Sequence, residues 1–531
     1  MNILHSKKFK HGSISLALTV TIIAAVILVN AIFTALAEKN LWYIDMTSED
    51  IYSLTDAAKD LLAEEFNTNK EVLVTFCAEK DILEASAEQR MALHTILEIA
   101  NLYDNITVRY VDIYTNPSAV QEYKIHTTQA INSQSIIVAA TNKNGKMECR
   151  VHSLKSLFSF DSSTSEVIGY NGEQRFVSSL LAVTQDELPI ACFTTNHGEI
   201  DNENISYLSN VLYETGYDVQ QIDLTKEDLP AATRLVVIYD PQSDFKASNA
   251  LNEADELAKL DAFLDARNAV MAFVDDETPY LPNLEDFLNE WGIKIARHED
   301  INLLICDSDY SLSTSGYTNV GQYITDQGGL GQSLTAGLTS MKYPKSVVFP
   351  KTTAFTAADG YESVNDEENS AWFYTYYSNG VSRNTYDVFR SSTQAEAIAG
   401  GQKLRTSELE AIGLQDPSIL PFSYMRITRE NHDNGDGTMS YSYLLACAST
   451  DFTRSAALNS TYGNHQLLTY ACSMMGRDVV SVSLSCKYFA STEIANITAS
   501  EASQYTVVLT AVPASAIFIV GIVIMIRRRY A

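Results

Sequence analysis

Apolar positions follow three different periods along this chain. Short unbroken runs such as Leu235–Tyr239 and Ala269–Val274 suit strands buried on both faces. Leu257, Leu260 and Leu264 keep the spacing of one helix face. From Ile190 onward the two patterns alternate. A strand from Ile190 ends in the loop His197-Gly198-Glu199, and a helix follows with Ile205, Leu208, Val211 and Leu212 on one side. Next come a strand near Tyr217 to Leu224, the run ending at Asp240-Pro241, and the run ending at Asp275-Asp276. A helix around Leu284, Phe287, Leu288 and Trp291 closes the series. Such alternation predicts a parallel sheet with helices on both faces, but it does not give the strand order. Residues 301–438 turn rich in Ser, Thr, Tyr, Gly and Asn, which predicts an irregular or antiparallel insertion holding short strands such as Ser346–Phe349. The strand Tyr441–Ala448 and a helix over Asn464–Met475 rejoin the sheet.

The third pattern is the absence of charge. Gly12 to Ala37 and Ala502 to Ile526 hold no charged side chain, and each is long enough for a hydrocarbon core of about 30 Å. Lys7, Lys8 and Lys10 precede the first, and Arg527 to Arg529 follow the second. The positive-inside rule then places both termini in the cytoplasm of a two-pass plasma-membrane protein, with the large body outside. Ala35-Leu36-Ala37 also fits a signal-peptidase site, a second reading of the first segment under which the body is still exported. Trp42 and Tyr43 fall where an interfacial aromatic belt belongs. Formal charge is -29; with the six flanking cations set aside the body carries about -35, which repels nucleic acid. Seven scattered cysteines show no metal or redox spacing.

The expected organisation is a cytoplasmic start (1–11), a span (12–37), a juxtamembrane segment (38–70), a first α/β domain (71–160) and a connector (161–188). There follow a flavodoxin- or amidotransferase-like domain (189–300), the insertion (301–438), the return to the α/β domain (439–491), a stalk (492–505), a second span (506–526) and a tail (527–531). The first domain runs strand Val72–Phe76, helix Glu88–Tyr103, strand Thr107–Asp112, short helix Pro117–Tyr123 and paired strands Ser135–Ala140 and Lys146–His152. Asn144-Gly145 marks the hairpin between the last two. That order, with Asp112 before Asn116-Pro117, resembles a thioredoxin-like domain. Cys77 has no second cysteine two residues on, so the dithiol chemistry is missing.

Several short motifs then occur in a fixed order. They are Asp45-Met46-Thr47, Tyr52-Ser53-Leu54-Thr55, His197-Gly198-Glu199 after a strand, Asp240-Pro241, Ser449-Thr450-Asp451-Phe452, Gly463-Asn464 before a helix, and Arg527-Arg528-Arg529. In this order the chain resembles the GldG-like, gliding-motility-type auxiliary proteins of ABC transport systems. The resemblance implies a membrane-anchored, non-ATPase component partnered by an ABC permease and a separate ATPase. The family usually has Gly before the His, where this chain has Asn196. No phosphate-binding loop of the Gly-x4-Gly-Lys type occurs.

His197, Glu199, Asp240, Asp275 and Asp276 all follow predicted strands of one sheet, and so form a candidate binding crevice at its carboxyl end. A histidine among carboxylates suits cation binding or acid/base work. Equally, polar residues routinely end strands and cap helices. Neither Cys192 nor Cys447 sits on a glycine-flanked elbow, so no nucleophile is assigned, and no catalytic residue, metal or cofactor is expected. Two alternatives stay open: a surface-anchored hydrolase or metal-dependent enzyme acting on envelope material, and a purely structural envelope protein.

Overall fold

The computed structural model describes residues 51–489 apart from 126–129, 142–144, 146, 161–165, 200–202, 248–254, 325–328, 342–343, 367–370, 379, 460, 477–483 and 485. It also describes 20–34, 36, 510, 512–513, 515–524 and 526–527. Contacts divide the chain into residues 1–488 and 489–531.

The two-pass membrane placement is corrected by the structure. Among the described residues no helix is long and apolar enough to cross a membrane. The longest described runs of the two apolar segments are 20–34 and 515–524. The flanks Lys7, Lys8, Lys10, Arg528 and Arg529, the pair Trp42-Tyr43, Asp45-Met46-Thr47 and the stalk 492–505 lie outside the described residues.

The remainder is mixed α/β. Helix α1 (Asp56–Glu65) is capped by Thr55, whose Oγ1 accepts from the Ala58 amide at 3.2 Å. The stretch Tyr52-Ser53-Leu54-Thr55 is bound into the body. The Leu54 amide donates to Glu98 Oε2 at 2.8 Å, the Thr55 amide donates to Glu173 Oε1 at 2.9 Å, and Lys487 Nζ, which pairs with Glu173 at 2.6 Å, also donates to the Ser53 carbonyl.

Strands β1 (Val72–Phe76), β2 (Ile106–Tyr110), β3 (Ser135–Thr141) and β4 (Met147–Ser153) form a sheet ordered β2-β1-β3-β4. The first pair is parallel and the rest antiparallel. Helices α2 (Lys80–Ala85) and α3 (Ala87–Leu102) join β1 to β2. A small strand pair, β5 (Phe158–Phe160) and β6 (Val167–Tyr170), leads into α4 (Gly172–Thr184). Asn144 of the expected hairpin turn is outside the described residues; Gly145 takes φ +76°.

The large sheet has twelve strands among the described residues. Its parallel half contains β7 (Ile190–Thr194), β8 (Asp218–Ile222), β9 (Thr233–Tyr239) and β10 (Ala269–Phe273), connected through α5 (Glu203–Glu214) and α6 (Glu256–Asp265). Helix α7 (Pro282–Glu290) follows β10. Residues 301–438 contribute α8 (Leu330–Thr339), strand β11 (Val348–Pro350), which pairs with Thr318–Val320 outside the large sheet, and the sheet strands β12 (Glu362–Asp366), β13 (Ala371–Ser378), β14 (Val381–Arg390) and β15 (Ser423–Asp433). Then come β16 (Met439–Cys447) and α9 (Asn464–Met475). The main path is β12-β13-β14-β15-β16-β10-β9-β7-β8. Strands β16, β10, β9, β7 and β8 are parallel, and β12 to β15 extend the sheet antiparallel beyond β16. Much of the insertion is therefore continuous with the sheet.

Alternate residues of the central strands face opposite cores. Ala191, Phe193, Leu235, Val237 and Tyr239 pack with α5 and α9, while Cys192, Val236 and Ile238 pack with α6 and α7. In order of appearance the parallel strands lie 2-1-3-4-5, so the connections change face between β7 and β9. A crevice opens at the carboxyl end of a parallel sheet at such a switch point.

Candidate functional site

The loop after β7 is built on two left-handed residues, Asn196 at φ +83° and Gly198 at φ +77°. Asparagine tolerates that region better than most other side chains, so the turn forms with Asn196 before the histidine. Gly198 has little freedom, because a Cβ there would meet Gln242 Cβ at 3.0 Å.

This turn drives His197 inward rather than into the crevice. It is 2% exposed, and its ring stacks on Phe245 with centroids 3.7 Å apart and planes 8° apart. Nδ1 lies 3.0 Å from Glu199 Oε1 and Nε2 lies 3.1 Å from Glu256 Oε2. Burial alone would lower the imidazole's pKa, but the hydrogen bonds and charges of the two glutamates outweigh it and raise it to about 9. His197 is therefore an imidazolium held between carboxylates at neutral pH. Glu199 also accepts from Thr194 Oγ1 at 3.1 Å and from the His197 amide at 2.7 Å, closing the loop on itself. The amides of Gln242 and Ser243 both donate to the His197 carbonyl at 2.7 Å, which ties the loop after β9 to the loop after β7.

Glu256 is the residue that sequence reasoning missed. It opens α6, where Asp255 caps the Ala258 amide at 2.9 Å, so Asp255-Glu256 reads as an ordinary helix start. Only the fold brings it to His197, fully buried, with its Oε2 also accepting from the Lys246 amide at 2.9 Å.

Asp240, Asp275 and Asp276 form a second group. The register pairs Tyr239 with Phe273, so the aspartates follow adjacent strand ends. Asp240 sits at φ +49°, accepts from Gln242 Nε2 at 2.8 Å, and is pushed up to about 7 by burial and then by the charge of Asp275. Asp276 is raised to about 6 by burial, then by Asp275 and Glu277, and its Oδ1 is buried without a hydrogen-bond partner. Asp275 folds its own turn by accepting from the Glu277 and Thr278 amides at 2.9 and 3.0 Å, and Thr450 Oγ1 donates to its Oδ2 at 2.5 Å. The five expected residues thus divide: His197 and Glu199 hold the loop, while the three aspartates follow the adjacent ends of β9 and β10.

Nothing here resembles nucleophilic machinery. Cys192 and Cys447 are buried in their strands, with thiol pKa values raised by burial, and Cys77 is pushed up to about 11. Among the described residues no three His, Cys, Asp or Glu side chains are arranged to hold a metal ion.

The carboxyl of Asp240 has a checkable consequence. Its folded pKa lies above the unfolded value of about 3.9, so the native state binds more protons and stability falls as pH rises from about 4 to 7. Asp240→Asn, whose amide also tolerates positive φ, is expected to raise the melting temperature by a few degrees at pH 8 and leave it nearly unchanged at pH 4.5. An equal shift at both pH values would mean that ionisation of Asp240 is not the cause.

No family model and no curated protein matches the chain. Among solved structures it is similar to the cytoplasmic protein STM3548 from Salmonella typhimurium, at 7% identity and TM-score 0.29, over 55% of this chain and 100% of that one. It is also similar to a ThuA-like protein from Parabacteroides merdae, at 10% identity and TM-score 0.20, over 37% of this chain and 77% of that one. Likenesses this remote assign no function.

Proposed function

We propose that this chain is an auxiliary, non-ATPase component of an ABC-type transport system that recognises a partner or substrate at the carboxyl end of its large sheet. The observation that carries the reading is the grouping of Asp240, Asp275 and Asp276 just after the adjacent ends of β9 and β10, beside the switch point. Three carboxyl groups on adjacent strand ends, two of them with raised pKa, suit a cationic or hydrogen-bond-donating group, whose arrival would favour their ionised form. The histidine that would otherwise serve as a base is already an imidazolium with both nitrogens engaged, which favours recognition over acid/base catalysis. The sheet order β2-β1-β3-β4 supports a thioredoxin-like first domain, and the order 2-1-3-4-5 supports a flavodoxin-like second one.

In-cell crosslinking of the full chain in its native host is the test. The unaltered chain is expected to recover a permease and an ATPase. A variant with Asp276→Asn and Glu277→Gln, which removes crevice charge without touching the His197 loop, is expected to recover much less of both. If the unaltered chain recovers neither, the proposal fails. Recovery unaffected by the variant would take the crevice out of the interaction.

A further inference from the structure

A cavity of about 400 Å³ opens where the segment after β4 and the start of α4 meet the end of α5 and the start of α9. It lies far from the crevice: α5 begins after the His197 loop and ends at Glu214 in the cavity wall, about 17 Å further along the helix. Its volume is that of a small-molecule site.

The charge of its wall runs against the rest of the molecule. In a chain of formal charge -29, the lining holds Lys155, Arg175 and Lys345, with Glu214 as its acidic side chain. Glu214 is already engaged by Arg175 and by His465 Nε2 at 2.7 Å. Arg175 is itself fixed by that pairing and by its contacts with His465. Lys345 is 5% exposed, and burial together with the charge of Arg175 lowers its ammonium to about 8, so an anion nearby would favour its charged form. Lys155 is exposed at the rim, with Nζ 5.6 Å from the centre of the Phe160 ring.

One further feature points the same way. Helix α9 starts in the wall with Gly463 as its N-cap and no side-chain cap, which brings the positive end of its dipole to the cavity. The remaining wall is apolar at Phe158, Phe160 and Leu458.

We infer that this cavity binds a small organic anion, with its acid group against Lys155, Arg175 and Lys345 and its apolar part against Phe158, Phe160 and Leu458. The site is independent of the crevice and does not rest on the transport reading.

Titration calorimetry on the full-length protein tests it, with phenyl phosphate, phenylacetate and inorganic phosphate as probes. One or both organic anions are expected to bind saturably at one site and more tightly than inorganic phosphate. The order of the two tells a phosphoryl ligand from a carboxylate one. Lys345→Met and Lys155→Ala are each expected to weaken binding about tenfold, the effect of losing one charge-assisted hydrogen bond. Lys403→Met, outside the lining, leaves it unchanged. Lys155 is exposed, so its variant still decides the matter if Lys345→Met does not fold. Absence of saturable binding by both organic anions, or unaltered affinity in the Lys155→Ala protein, overturns the inference.

Discussion

Replacing His197 by alanine is expected to cost about 3–5 kcal/mol of stability, read as a lower urea midpoint at unchanged slope. The size follows from what remains behind. Glu199 and Glu256 have side chains 5% and 0% exposed, and without the imidazolium both carboxylates are buried with no cation between them. The loss of stacking on Phe245 adds a cavity. The pH dependence separates the two contributions. The folded pKa of His197, about 9, lies above its unfolded value of about 6.5. The stabilisation is therefore fully present below about pH 6.5 and lost as pH rises through 9. The gap between the native protein and the alanine variant should accordingly narrow above pH 9, whereas the cavity contribution stays constant. A loss below 1 kcal/mol at pH 7 would show that the glutamates relax into solvent and that the buried arrangement is not what holds the loop. The same reasoning makes His197→Ala a poor probe of chemistry, since any lost activity would follow from a lost loop.

The parallel half of the sheet was legible because its strands are unbroken apolar runs ending in polar residues. Leu235 to Tyr239 and Ala269 to Phe273 fall where expected, as do the inward faces of α5 and α6. Strand order was not legible, since pairing is decided by crossovers that leave no local period. Residues 301–438 read as an irregular or antiparallel insertion, and its strands β12 to β15 are antiparallel; what the sequence did not mark is that they continue the large sheet. Local sequence placed all five candidate residues after strands, as they are, but did not show which of them turn inward. Asp275 and Asp276 announce themselves at a strand end, whereas the partner that turns His197 inward is 59 residues away at a helix start. The uncharged stretches near each end were legible as apolar, but the helices described within them fall short of a membrane's thickness.

The second large effect is expected in the antiparallel extension, where Asp387→Ala should cost about 3–5 kcal/mol. Asp387 is 6% exposed and accepts from Arg426 Nε at 2.7 Å, Arg390 Nε at 2.8 Å and Ser423 Oγ at 2.6 Å. Burial alone would raise its carboxyl, but the two guanidinium groups overcome it and hold the pKa down at about 2. Arg426 is 2% exposed and is also committed to the Thr356 carbonyl and the Tyr374 ring, so it cannot follow the lost carboxylate to water. The carboxylate's contribution is present above its unfolded pKa of about 3.9 and is lost as pH falls towards 2, so the difference between native and Asp387→Asn proteins should shrink in acid. The backbone here has no slack either, since a Cβ on Gly331 of α8 would meet the Asp387 carbonyl oxygen at 2.1 Å. A double variant, Asp387→Leu with Arg426→Met, separates a stranded charge from a packing loss. It removes the carboxylate together with the more buried of its two guanidinium partners, leaving Arg390, whose side chain is 15% exposed, and is expected to recover much of the stability that Asp387→Ala loses, because apolar pairs often replace buried ion pairs at little cost. Should the double variant be as unstable as the single one, the site is held by its shape and by Ser423, and the charge argument falls.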